Sequence, residues 1–342
     1  MNKFHISKNG SVEVCKAKVK PCPLGSVHFE SKEAGEKYLD NKVLAIEAHK
    51  EHVQYDSTYS TLDANRRGAF VAEETKQALD DGKASYQTHF DEKNGSWDKE
   101  RDSLHQEILS EFKEKYEHVP TDKNVIFSAG LPGAGKTTVL TQYENLNMED
   151  WATVSSDDMK EILAEKGAIP EIEGLSPMER STLVHQESSY LADRLLKDLS
   201  SEGKNVIYDF TCKNKDSTEK RIKTLVGSGY KTEDMQFTFV DITIEVAKER
   251  AKSRYTKGLN ESIKIARDNK FAKDDEQKPV LGGRYLPNKV IELLRSEGGK
   301  HNSVNAETLI SLYQDKSYNF PEPKIYDNSG DEPKEISFKD FL

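Results

Sequence analysis

A chain of 342 residues has room for one large domain and an accessory one, and 60 acidic against 50 basic side chains give a net charge of −10 that speaks against general binding along a nucleic-acid backbone. No apolar run approaches the roughly 20 residues needed to span a bilayer, and MNKFHISKNG lacks the continuous apolar core of a signal peptide. Three cysteines, Cys15, Cys22 and Cys212, are an odd count that fits a reducing compartment, so a cytoplasmic protein without membrane partners is expected.

Residues 1–40 read as a small strand-and-turn unit. CKAKVKPCPLG holds Pro21, Pro23 and Gly25, and HFESKEAGEKYL then opens a helix capped by Ser31. Cys15, Cys22 and His28 offer three candidate zinc ligands only, and the cysteines lack the usual spacing of two to four, so a structural turn is the expectation. Residues 41–118 form a polar, helix-prone extension. WDKERDSLHQEILSEFKEKY sets Trp97, Leu104, Ile108, Leu109 and Phe112 at helical spacing, which predicts a helix packed on the domain that follows. His49, His52, His89 and His105 are scattered here and read as satisfied or exposed side chains rather than metal ligands.

From residue 119 the pattern changes, after HVPTDKN breaks the helical run. NVIFSAG (124–130), ATVSS (152–156), KNVIYDF (204–210) and QFTFVDI (236–242) are short apolar runs rich in branched and aromatic residues, with helical segments between them. That alternation predicts an α/β domain over 119–342, a parallel sheet with helices on both faces, and the glycine-rich GLPGAGKT after its first strand makes it of the P-loop NTPase type. The best-marked helix runs from 177 to about 200, with a Ser176–Glu179 capping box, Pro177 at its first position and Gly203 past its end.

Residues 130–137, GLPGAGKT, match G-x-x-x-x-G-K-[ST] in the required context, after an apolar strand and before the helical segment VLTQYENL. Glycines let backbone N–H groups turn inward around phosphate oxygens, and the helix that follows adds the partial positive charge of its N-terminus. Gly130, Gly133, Ala134, Gly135, Lys136, Thr137 and Thr138 are therefore the expected ATP contacts. Lys136 is suited to bridge the β- and γ-phosphates, and the Thr137 hydroxyl to ligate Mg²⁺.

In such a sheet the strand C-termini line the ligand crevice. VSSDDMK places Asp157 and Asp158 there. Phosphoryl transfer to an alcohol needs positioning, charge neutralisation and a base for the attacking hydroxyl. Asp157, first after the strand, is the expected base, with Asp158 beside it on the substrate side; two helix-capping acids are the bland alternative. YDFTCKN adds Asp209, Thr211 and Lys213, which strand alternation places on one side as substrate-binding candidates, Asp209 for a substrate hydroxyl or Mg²⁺, while Cys212 points the other way into packing. Arg250, Arg254 and Lys257 fall on one helical face of TIEVAKERAKSRYTKG, and LGGRYLPNKV presents Arg284 from a glycine-rich turn. Arginine's planar fork suits a clamp on a transferring phosphoryl group, so Arg254 and Arg284 join Lys136 and Asp157 as catalytic candidates.

GLPGAGKTT, VSSDDMK, VHQESSYLADRLL, NVIYDFT, SRYTKG, GRYLP and the ending KIYDNSG occur in the order of the zeta toxin family, and the chain resembles that family over about residues 120–330. The resemblance implies a kinase of toxin–antitoxin systems that phosphorylates the 3′-hydroxyl of UDP-N-acetylglucosamine, with an antitoxin protein as a partner. It implies Lys136 and Thr137 as the phosphate-loop pair, Asp157 as general base, Asp209 and Thr211 as substrate contacts, and Arg254 and Arg284 as phosphate contacts. Characterised members carry glutamate and arginine where this chain has Asp209 and Lys213. His185 and Glu187 in VHQESS resemble a subgroup with an unassigned acceptor, and Glu187 is a substrate candidate if its helix lies over the site. Three further readings stay open: a polynucleotide 5′-hydroxyl kinase, another small-alcohol kinase, and a non-catalytic ATP-binding interaction protein.

Overall fold

The protein is described by a computed structural model over residues 3–6, 11–16, 28–55, 58–273, 276–297, 301 and 303–342. In chain order its principal elements begin with β1 (Phe4–Ile6), β2 (Val12–Val14), α1 (Lys32–Tyr55), α2 (Thr61–Asp80) and α3 (Lys99–Lys115). Then come β3 (Val125–Gly130), β4 (Ala152–Ser155), α4 (Ser156–Glu165), α5 (His185–Ser201), β5 (Val206–Phe210) and α6 (Lys215–Gly227). The last are β6 (Met235–Asp241), α7 (Ile244–Asn269), α8 (Val304–Tyr313), β7 (Lys324–Asp327) and β8 (Lys334–Ile336). Among the described residues no helix is long and apolar enough to cross a membrane.

The chain divides into two compact units, and neither is one continuous segment. A sheet unit comprises Trp97–Ile162, Gln186–Ala251 and Asn288–Leu342; a helical unit comprises Met1–Ser96, Leu163–His185 and Lys252–Pro287. Expected boundaries near 40 and 118 followed composition. Compactness instead groups α3 with the sheet, and two later segments with the N-terminal helices.

In the sheet unit six strands stand in the order β8-β7-β6-β3-β5-β4. β3 lies between β5 and β6, and every pair is parallel except β7 with β8. β3 is buried along its whole length, as a central strand covered on both faces must be, which is why VIFSAG reads as a continuous apolar run. Phe127 and Phe237 stack at 4.7 Å between neighbouring strands. All four predicted strands are present. α3 forms where its spacing predicts, with the Asp98 carboxylate accepting from the Arg101 amide at 2.8 Å, and it buries Ile108, Leu109 and Phe112.

The helical unit packs α2 and the second half of α7 around Tyr59, Ala64, Tyr255, Leu259 and Ile263. Ser31 caps α1 as expected, accepting from the Ala34 amide at 3.1 Å. The predicted helix 177–200 arrives in two parts: a 3₁₀ stretch over Met178–Val184, then α5. Glu179 does bond back to the Ser176 amide at 2.9 Å, but the Ser176 hydroxyl donates to the same carboxylate instead of capping an amide. Glu179 is also held by Arg67 and Tyr255, so the first turns tighten rather than follow an α-helical cap.

Candidate active site

β3 ends at Gly130, which adopts φ +144°, and a Cβ there would stand 2.3 Å from the Val240 carbonyl oxygen. Gly135 has φ +84°, and its Cβ would meet Asn328 Nδ2 at 2.7 Å. Only glycine fits either position without shifting backbone or neighbour. The loop's carbonyls are held from outside: Asn328 Nδ2 donates to Ala134 O at 2.7 Å, and Arg250 Nη1 to Gly133 O at 3.3 Å. Arg250 Nη2 in turn donates to Asn328 O at 2.9 Å. With carbonyls occupied in this way, the loop's geometry is set before any anion arrives. The expected helix after the loop is brief: an α-turn over Lys136–Thr138 passes into a π-helical turn over Val139–Tyr143, which buries Val139 and Leu140. Thr137 and Thr138 are exposed.

Strand register brings the acids to this loop. Asp209 pairs with Ser128 of β3 on one side and Ser155 of β4 on the other. Its Oδ1 lies 3.4 Å from Lys136 Nζ, which also reaches the Gly130 carbonyl at 3.5 Å. α4 begins directly after β4, with the Asp157 amide donating to Ser155 Oγ at 3.0 Å. Asp157 is the open member of the acid pair: its side chain is 46% exposed and its Oδ1 is 3.2 Å from the buried Lys160 ammonium. Asp158 is the shielded one. Burial first, then the charges of Glu161, Asp209 and Asp157, push its carboxyl up to about 6, with Lys115 opposing. Tyr116, whose hydroxyl donates to Thr153 O at 3.0 Å, is pushed up to about 12 by burial and by Asp158.

Other expected residues lie differently. β5 stops at Phe210, and Cys212 sits in the left-handed region at φ +60°, so strand alternation does not extend to Thr211 and Lys213. Thr211 is partly buried with its carbonyl accepting from Asn305 Nδ2, and Lys213 is exposed. Cys212 is buried as expected, and burial pushes its thiol up to about 12. Glu187 does not face an open site. It is fully buried, gripped by Arg101 through Nε at 2.6 Å and Nη2 at 2.7 Å, with His105 Nε2 at 2.7 Å. The Glu187 carboxylate is thus buried beside two basic groups from α3, on the inward side of its own helix. Arg254 and Arg284 belong to the helical unit, Arg254 exposed and Arg284 half-buried. There Gly283 meets Gly258 closely, a Cβ on Gly258 falling 2.8 Å from Gly283 Cα, which brings the glycine turn before Arg284 against α7. Sequence reasoning missed Asn328 and Lys160 altogether and gave Arg250 only a place on a cationic face. KIYDNSG marked the turn that carries Asn328, but nothing local signalled its reach to the loop.

Comparison with known proteins adds a family. A family model described as Zeta toxin matches residues 108–299. Among curated proteins no sequence matches the chain. Solved structures similar to it include the AvrRxo1-ORF1:AvrRxo1-ORF2 complex with sulphate ions, at 18% identity, covering 71% of this chain and 68% of that one with a TM-score of 0.48. The same complex with ATP is similar at 17% identity, 71% and 68% coverage and a TM-score of 0.46. The PezAT toxin–antitoxin system of Streptococcus pneumoniae follows at 16% identity, 66% and 77% coverage and a TM-score of 0.40.

Proposed function

The chain belongs to the zeta toxin family of P-loop kinases, and from that premise we propose that it moves the γ-phosphate of ATP to a hydroxyl of a small molecule, the 3′-hydroxyl of UDP-N-acetylglucosamine being the first acceptor to test. The observation that carries this reading is the Lys136–Asp209 pair at 3.4 Å, with the Asp157–Asp158 helix start on the adjoining strand end. It sets the lysine suited to the β- and γ-phosphates beside acids able to orient and deprotonate an alcohol. Two positive-φ glycines that a Cβ would obstruct suit the loop to wrap phosphate oxygens. Mg²⁺, when bound, would supply charge neutralisation at the phosphates, and the exposed Thr137 hydroxyl would be its side-chain ligand.

Within this reading Lys136 exchanges Asp209 for phosphate oxygens, which frees Asp209 to accept from a substrate hydroxyl. Asp157, open and steadied by Lys160, takes the proton of the attacking alcohol. A second reading has its own support: Asp158, raised to about 6, is closer in basicity to a neutral-pH base. The clamp roles of Arg254 and Arg284, and an antitoxin partner, rest on the family resemblance. Incubation with ATP and UDP-N-acetylglucosamine, followed by mass analysis, is expected to yield the sugar nucleotide plus one phosphate. Transfer instead to 5′-hydroxyl oligonucleotides, or to another small alcohol, would move the acceptor assignment. ATP binding with no transfer to any acceptor would leave a nucleotide-binding protein and overturn the kinase reading.

A further inference from the structure

The N-terminal hairpin gathers three metal-ligating side chains that the kinase reading does not use. β1 pairs antiparallel with β2, with Phe4 opposite Val14, His5 opposite Glu13 and Ile6 opposite Val12. The Cys15 amide donates to Lys3 O at 2.7 Å, extending the same register by one residue. On the other side of β1, Phe4 and Phe29 exchange backbone hydrogen bonds at 2.8 and 2.9 Å, so His28 falls opposite His5. Residues directly opposite share a face, and neighbours along a strand alternate. Lys3, His5, Cys15 and His28 therefore share one face. Phe4, Ile6, Val12, Val14 and Phe29 share the other, and on it Val12 and Phe29 close against α1 at Gly35.

The register thus brings one thiol and two imidazoles to one place from three separate stretches of chain. His28 Nε2 is 3.2 Å from Cys15 Sγ, and a ligand atom from each of His5, Cys15 and His28 lies within 4.8 Å of the others. Tetrahedral zinc, with bonds of about 2.3 Å to sulfur and about 2.0 Å to nitrogen, separates its donors by about 3.5 Å, so small side-chain rotations close the set. A thiol–imidazole hydrogen bond uses only two of the three groups, while His5, itself buried, is delivered to the same point by its strand position. We propose that His5, Cys15 and His28 bind a zinc ion that ties β1, β2 and the segment entering α1 together. Nitrogen and thiolate donors suit zinc, and the fourth position falls to water. Strands of three residues form few ladder bonds, and a clip across residues 5, 15 and 28 restrains the unfolded chain where the strands alone do little. The earlier expectation of a plain turn counted Cys22, which lies outside the described residues, and could not see that β pairing adds His5.

Two measurements on the full chain test this. Protein from zinc-replete medium should carry about one zinc per chain by elemental analysis, falling to roughly a tenth or less in Cys15→Ser and His28→Ala. Chelated wild type titrated with Co²⁺ should develop tetrahedral visible bands and a thiolate charge-transfer band, a reading that needs no variant to fold; in a folded Cys15→Ser the charge-transfer band should be absent. Wild type that holds no zinc and gives no Co²⁺ spectrum overturns the site. So does zinc retained at full stoichiometry in both variants, which would place the ion elsewhere.

Discussion

In the helical unit Glu179 is buried and accepts hydrogen bonds from Arg67, Ser176 and Tyr255, whereas in the sheet unit Asp158 sits among Asp157, Glu161 and Asp209 with Lys115 opposing them. Burial alone would raise the Glu179 carboxyl. The Arg67 charge and the bonds from Arg67, Tyr255 and Ser176 outweigh it and hold that carboxyl below the usual range. At Asp158 the Lys115 charge does not outweigh burial and the neighbouring acids, and the carboxyl rises. One unit neutralises its buried acid; the other tolerates a cluster of acids at its strand ends. Glu187 shows that the sheet unit can also lock a buried acid when packing requires it, through Arg101 and His105. Crowding around Asp158 is therefore a property of the strand ends beside the glycine-rich loop.

The largest expected effect separates the two adjacent aspartates. Asp157→Asn should lower phosphoryl transfer by about 10²–10⁴-fold, the range for a lost general base, while ATP affinity stays near wild type. Asp158→Asn should instead stabilise the fold above pH 6 by about 1 kcal/mol, a figure reduced from the full linkage value because the group keeps some solvent. The sign follows from a raised pKa: the ionised form is disfavoured in the folded state, so its removal helps where it is ionised. Steady-state kinetics and urea unfolding of both variants decide the matter. If Asp158→Asn loses transfer and Asp157→Asn keeps it, the base is Asp158. Next in size is Glu179→Ala, which strands Arg67 in the interior and should cost about 3–5 kcal/mol by urea unfolding. A loss below about 1 kcal/mol would mean that Arg67 finds water and the lock is not what orders this unit.

How legible all this was depends on the range of the interactions concerned. The sheet, its parallel sense and the phosphate loop were readable because their signals are local: a fully buried VIFSAG, then glycines at positions where a side chain would collide. Asp157, Asp158 and Asp209 were placed near the loop because strand ends line the crevice in this architecture, and the register sets Asp209 opposite Ser155, where the Asp157–Asp158 helix begins. Thr211 and Lys213 were placed by extending a strand period past Phe210, and the left-handed Cys212 broke it. Glu187 went astray because nothing near it in sequence announces Arg101, 86 residues upstream. The same holds for Asn328, whose amide reaches Ala134 across 194 residues. Two-unit organisation was illegible for a related reason: two of the crossings run inside continuous helices, α4 and α7, where no break in the sequence pattern marks them.

The comparison is sharpened most finely by pH. His49 lies in the helical unit with Nδ1 2.7 Å from the Tyr59 hydroxyl, and burial, aided by the Arg67 charge, pushes it down to about 4 from an ordinary 6.5. A histidine lowered in the folded state is protonated first in the unfolded chain, so stability is full above pH 6.5 and is lost as pH falls toward 4. At about 1.4 kcal/mol per unit the loss reaches roughly 3 kcal/mol. Asp158 works in the opposite direction over an overlapping range: its raised carboxyl favours the folded state as pH falls through 6. Urea unfolding followed by probes in each unit between pH 7.5 and pH 4 (about the span of both titrations) should therefore show the helical unit weakening while the sheet unit holds or gains. His49→Gln should flatten the first slope and leave the second alone. If both units weaken in parallel in wild type and His49→Gln changes neither slope, buried charge is not handled separately, and His49 is wet enough to titrate as it does in the unfolded chain.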